Sequence, residues 1–228
     1  MRGILLILIL LFSFSFAEAE KDIRKVRAIE FRDLKYVSKY EIINSADIYI
    51  KGDLIVIDIE SLKEILKNIP IIRSFEIIEK DQKLVISVNE SEPAFSLCVL
   101  DGDKNIPVEL NKDFQIISAE RMYKLNYPLV FILKGELKKE GISLRVKRFL
   151  GLINDLRNRN LKIIDDILEI KYFDTEFVEV MLKGRKTVFS LKPVPEAFYK
   201  MNYAVGYFDM IKYYPDKFTM LNGSGIVK

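Results

Sequence analysis

Apolar residues in the first third of this 228-residue chain recur with two different periods, and the switches between them mark elements. Residues 26–31 form a short apolar-rich run that predicts a strand. Ser38 stands three residues before Glu41, the spacing of a capping box, and Val37 and Ile42 stand where a hydrophobic staple closes a helix start. Leu62, Ile65, Leu66 and Ile69 fall on one face of a second helix. Pro70 stops that helix, because it fixes φ and pushes the preceding residue out of the helical region. Residues 71–78 predict an apolar strand and 80–83 a charged turn. Leu84, Ile86 and Val88 then alternate with Val85, Ser87 and Asn89, as in a strand with one buried face. Strand, helix, helix, strand, strand is most economically a three-stranded sheet with two helices on one face.

No Pro/Gly/Ser-rich linker follows; Glu90 to Pro93 is the boundary, and the next strand begins at once. Strands are expected at 94–100, 106–110, 114–117 and 129–133, with a turn at Asp101-Gly102. Ile142, Val146, Phe149, Leu150 and Ile153 form the apolar stripe of a helix that ends at 158–160. Three further strands are expected at 168–172, 177–182 and 186–191. Pro195 opens a final helix to about Tyr213, with Phe198, Met201, Val205, Phe208 and Ile211 turned inward. A strand at 217–221, a tight turn at Asn222-Gly223 and a last short strand at 225–228 complete the pattern. The expected class is α+β. An amino-terminal apolar segment (1–20) precedes a β-α-α-β-β unit (24–92). A mixed α/β part (93–228) follows, with a curved, largely antiparallel sheet and two helices.

Particular residues within this order resemble the FtsQ/DivIB family of bacterial cell division proteins, whose POTRA module has the β-α-α-β-β order. The family's Leu-Pro-aromatic-Val step reads Ile69-Pro70-Ile71-Ile72 here, with Ile71 in place of the aromatic residue. Its Val-x-Glu-x-x-Pro exit reads Val88-Asn89-Glu90-Ser91-Glu92-Pro93. The end of its β domain, a strand followed by Asn-Gly and an apolar-basic tail, resembles Phe218 to Lys228, without the family's Asp and Arg in the strand. The resemblance implies a bitopic, non-enzymatic scaffold of the divisome, with its amino terminus in the cytoplasm and its domains in the periplasm. Such a scaffold links early division proteins to FtsB/FtsL and septal peptidoglycan synthesis. The resemblance also implies that the carboxyl-terminal strands receive an FtsB-like partner; by position the candidates are Tyr214, Phe218, Met220, Gly223 and Ile226. A terminal strand with an open edge offers unpaired N–H and C=O groups, so strand addition is the expected mode. The rival for 217–221 is an ordinary edge strand. POTRA folds also serve outer-membrane protein assembly, so a periplasmic chaperone of that kind is the alternative. An exported hydrolase is the third reading.

The amino end leaves two readings open. Residues 4–17 are apolar and free of charge, and span about 21 Å as a helix, short of a hydrocarbon core of ~30 Å. That length and the small-residue site Ala17-Glu18-Ala19 fit a cleaved signal peptide, whereas the family resemblance implies a retained anchor in the cytoplasmic membrane. Lys21, Arg24, Lys25 and Arg27 lie just after the run and do not favour the anchor by charge. Both readings export the remainder.

Composition narrows the chemistry. Half the residues are hydrophobic and 30% are charged, which makes the chain globular. The net charge is +3 with both signs interspersed, and no basic-aromatic platform for nucleic acid stands out. There is no histidine, which removes the usual general base and the commonest zinc ligand. The single cysteine, Cys98, lies between Leu97 and Val99 and reads as a core residue. Asp101-Gly102-Asp103 resembles the opening of a calcium loop. However, Ile106 stands where that loop needs glycine and Lys112 where it needs glutamate, so a solvated turn is expected. Glu90 with Glu92, and Asp165 with Asp166, form carboxylate pairs without a surrounding catalytic motif, and the first is expected to fix the turn between domains. The basic run 134–148 reads as a solvated helix face, with anionic lipid or cell wall as the rival. The tyrosines at 199, 203, 207, 213 and 214 read as amphipathic packing, with a partner-facing patch as the rival. No catalytic group, metal or cofactor is expected.

Overall fold

The computed structural model describes residues 22–138, 141–173, 176–221 and 224–227. The segment 1–20, and with it the expected membrane segment, lies outside these residues. Among the described residues no helix is long and apolar enough to cross a membrane. They form an α+β fold with five α-helices and a large mixed sheet.

The chain opens with two strands, β1 (Ile23–Val26) and β2 (Ala28–Arg32), where the sequence pattern predicts one over 26–31. The break at Arg27 is a change of sheet. Val26 turns into the core, while the Arg27 N–H donates to the Gln82 carbonyl at 2.7 Å and delivers the following residues to another partner. Helix α1 (Lys39–Ser45) starts with half of the expected capping box. Ser38 Oγ accepts from the Tyr40 N–H at 3.3 Å, but the Glu41 carboxylate turns away to Arg121. Val37 and Ile42 are both buried in one cluster, as the staple requires.

A hairpin that the apolar pattern did not reveal separates the two helices. Strands β3 (Ile48–Lys51) and β4 (Leu54–Asp58) meet at a turn where Gly52 takes φ +64°, a left-handed angle that costs glycine little. β4 pairs antiparallel with β1 on one side and β3 on the other. The expected β-α-α-β-β order is therefore interrupted by a second small sheet. Asp58 ends β4 and caps α2 (Ile59–Asn68), accepting from the Glu60 and Ser61 N–H groups at 3.0 and 3.4 Å. Strands β5 (Ile72–Lys80) and β6 (Lys83–Glu90) follow; β6 lies between β2, to which it is parallel, and β5, to which it is antiparallel. Leu84, Ile86 and Val88 of β6 bury on one face in a cluster with Ile42 of α1 and with Leu62 and Leu66 of α2.

Strands β7 (Phe95–Asp101), β8 (Lys104–Leu110) and β9 (Ile116–Ala119) form an antiparallel meander. Phe114, expected in the third strand, instead stands in the preceding turn at φ +60°. β10 (Leu129–Leu133) leads through a 3-10 turn into a short pair, β11 (Leu137–Lys138) and β12 (Gly141–Ile142). Helix α3 (Leu144–Asn158) and the single turn α4 (Ile163–Asp166) precede β13 (Ile167–Lys171), β14 (Val178–Leu182) and β15 (Val188–Leu191). Helix α5 (Pro195–Ile211) and strands β16 (Lys217–Leu221) and β17 (Ser224–Val227) end the described chain. The part after residue 93 thus holds three helices rather than two, because α4 has too few residues to show a helical period.

Nine strands join in the order β17-β16-β15-β14-β13-β10-β7-β8-β9. The pairs β7–β10, β10–β13 and β15–β16 are parallel, and the others are antiparallel. Phe198, Met201, Val205 and Phe208 of α5 are buried against this sheet as expected, but Ile211 is 42% exposed because the helix ends there, with Lys212 in a left-handed cap. Cys98 is half-buried rather than core: Leu97 and Val99 take the inward positions of β7, and the thiol takes the other face. Partial burial pushes its pKa up.

Candidate functional site

At one end of the nine-stranded sheet lies β17, which among the described residues pairs only with β16. Among the described residues, the outer edge of β17 is open. Its partner β16 is an interior strand, paired with β15 as well, so 217–221 is not the edge itself. In antiparallel pairing, directly opposed residues share a face. Phe218 opposes Val227 and Met220 opposes Gly225, whereas Thr219 opposes Ile226. Phe218 and Met220 therefore face α5, and Ile226, 45% exposed, points to the opposite side of the sheet.

Between the first half of α5 and these two strands runs a groove of about 400 Å³. Ala197, Ala204, Phe218 and Met220 line it, and Lys192 and Lys200 stand in its wall with a single carboxylate, Glu196. The Phe218 ring is held edge-on by Phe189 and Phe208, with centroids 6.0 and 5.1 Å away. Glu196 and Lys200 stand one turn apart on α5, and Lys192 joins them from the segment between β15 and α5.

The other candidates separate. Tyr214 belongs to a polar cluster at the far end of α5. Its hydroxyl donates to Asp209, and Arg185 grips the same carboxylate with two hydrogen bonds of 2.6 and 3.0 Å while lying over the Tyr214 ring. The Arg185 guanidinium, followed by the Tyr214 hydroxyl, holds the Asp209 carboxyl down at about 2. Gly223 lies outside the described residues. Tyr203 and Tyr207 of α5 stand out in solvent, Tyr203 76% exposed.

Glu90 and Pro93 do different work from each other. The Glu90 carboxylate accepts from three consecutive backbone N–H groups, those of Lys35, Tyr36 and Val37, at 2.8, 2.8 and 2.9 Å. It thereby fixes the approach to α1 rather than the exit toward β7. The buried Pro93 accepts at its carbonyl from Asn126 Nδ2 at 3.0 Å, which ties the exit to the loop before β10.

Two of the remaining charged features carry internal ion pairs. Asp101 takes a hydrogen bond of 2.6 Å from Lys134, at the turn that resembles the opening of a calcium loop. Within the basic run, Arg145 pairs with Glu136 and lies over Tyr172. Among the described residues no group of three or more acidic or cysteine side chains could hold a metal ion. Buried Glu109 accepts from the Tyr123 and Lys124 N–H groups at 2.9 and 2.7 Å, a role the sequence did not signal. No family model matches this sequence, and no curated protein matches it.

Proposed function

We propose that this chain is a non-enzymatic, single-pass scaffold of the FtsQ/DivIB kind, which holds its partners by lending them a sheet edge. In this reading residues 1–20 anchor it in the cytoplasmic membrane, with the amino terminus in the cytoplasm and the remainder in the periplasm. Residues 24–92 act as a POTRA module making contacts near the membrane. Residues 93–228 act as a β domain that receives an FtsB-like partner and so connects early division proteins to FtsB/FtsL and to septal peptidoglycan synthesis. The chain uses no cofactor and catalyses nothing.

The observation that carries the reading is the open outer edge of β17 beside an apolar groove. Main-chain groups on such an edge supply affinity, and the groove supplies selectivity. The packing of α1 and α2 on one face of β6 also supports it, although the β3–β4 hairpin departs from the family order.

Depletion of the protein in its own cells, followed by microscopy, tests the reading. Filaments without septa are expected. Normal septation with outer-membrane defects would refute it in favour of a role in outer-membrane assembly. For the edge itself, Ile226→Asp is expected to abolish capture of an FtsB-like partner in a pull-down while the fold is retained, and unchanged capture would move the site elsewhere.

A further inference from the structure

We infer that the segment received by β17 is an extended acidic-apolar peptide that sets one large apolar side chain opposite Gly225, with a carboxylate two residues away on the same face. This inference rests on the strand-addition reading above and supplies the chemistry of the incoming strand.

Gly225 faces α5, since it opposes Met220. It bears no side chain, and the Phe218 ring lies across it: a Cβ at this position would stand 2.2 Å from the ring's Cζ. The ring has little freedom to withdraw, because Phe189 and Phe208 pack against it. At the level of Gly225, then, the apolar surface of β16 reaches through to the outer edge of the sheet without a β17 side chain to screen it. A strand added outside β17 lies ~4.8 Å further out, and its residue opposite Gly225 points to the α5 side. That side chain meets the Phe218 ring and then the groove lined by Met220, Ala197 and Ala204. An aromatic residue across from a strand glycine recovers the cross-strand contact that the glycine forgoes. The groove, at about 400 Å³, has room for such a side chain and a neighbour.

Charge sets the neighbour. Lys192 and Lys200 outnumber Glu196 in the groove wall, so a carboxylate is favoured there over a cation. Residues two apart in an extended segment share a face, which places that carboxylate two positions from the apolar anchor.

The test uses fluorescein-labelled peptides of about ten residues, a strand's length, built on alternating threonine. One has phenylalanine at the centre with glutamate two residues to either side. A second has lysine in place of both glutamates, and a third has alanine in place of phenylalanine. Binding to the full chain in detergent is read by anisotropy, and β17 by amide exchange. The first peptide is expected to bind about tenfold more tightly than either of the others and to protect the amides of 224–227. A chain carrying Lys192→Glu and Lys200→Glu is expected to prefer the lysine peptide. Equal affinity for all three peptides with β17 still protected would overturn the side-chain chemistry and leave strand addition standing. Absence of binding, or binding without protection of β17, would overturn both.

Discussion

Replacing Glu90 with alanine removes the acceptor for three backbone N–H groups in the approach to α1, which have no other partner among the described residues. The Lys35 N–H is exposed and rehydrates, so its loss costs about 0.5 kcal/mol. The Tyr36 and Val37 N–H groups are part-buried, and each loses a charge-assisted bond worth roughly 1–1.5 kcal/mol in such a setting. Together these give about 3 kcal/mol for Glu90→Ala. Glu90→Gln retains one oxygen but turns an amide N–H₂ toward a donor, so roughly half that loss is expected. The damage should be global and also local, because Val37 is the staple residue against Ile42 and precedes the Ser38 cap. Equilibrium urea unfolding reads the first, with an unchanged slope if only stability has moved. Amide exchange at Lys35, Tyr36 and Val37 reads the second. An alanine variant within about 0.5 kcal/mol of the native chain, or amides at 35–37 that exchange no faster, would refute the assignment.

Three further outcomes follow from the same contacts. The Arg121–Glu41 pair joins residues 80 positions apart through two hydrogen bonds, but Arg121 is half exposed; a double-mutant cycle should give only about 0.5–1 kcal/mol, shrinking in high salt, and a value near zero at low salt would remove it as a tie. Asp209 has its pKa depressed to about 2 from an ordinary 3.8, so its stabilisation is complete above about pH 4 and is lost as pH falls through about 2. With Asp209 44% exposed, solvent screening limits the effect to roughly 1 kcal/mol or less; the stability gap between the native chain and Asp209→Asn should close toward pH 2, and a gap constant from pH 6 to pH 2 would contradict the assignment. Gly225→Ala forces a Cβ into the Phe218 ring and should cost about 1–3 kcal/mol, with faster amide exchange along β17; an unaltered exchange pattern would mean that the ring swings aside freely.

Much of the core was legible because its periods were clean. Leu84, Ile86 and Val88, and Phe198, Met201, Val205 and Phe208, are buried where alternation and the helical repeat put them. The β3–β4 hairpin escaped because its signal is mixed: Tyr49 and Ile50 are exposed, and Val56, Ile57 and Asp58 are buried in succession, so no single period survives. The half-made capping box failed for a tertiary reason, since Glu41 is drawn to an arginine that lies far away in sequence. The terminal site was legible only as a place. Phe218, Met220 and Ile226 do sit at the last two strands, but which strand is the edge depends on a parallel pairing of β15 with β16 across α5, and no local pattern encodes that. Tyr214 went elsewhere because Asp209 and Arg185 satisfy it.

The sheet order gives the two ends of the large sheet unlike roles. At the β9 end, Ile117 is buried in the cluster built by α1, α2 and β6, and Tyr123 packs against that cluster from the loop that follows. Buried Glu109 holds that loop by its Tyr123 and Lys124 N–H groups, and Arg121 on the same loop reaches Glu41 of α1. The β9 end is therefore occupied by the first part of the chain. At strand spacings of ~4.8 Å, β17 lies roughly 40 Å away across the flat width of the sheet, less whatever twist takes up. A strand that joined at β17 would extend the same hydrogen-bonded ladder without meeting the first part of the chain. Loosening the β9 end, by removing Glu109 or Arg121, should then alter how the first part is held while leaving peptide binding at β17 unchanged. A loss of β17 binding in such variants would show that the two ends communicate through the sheet.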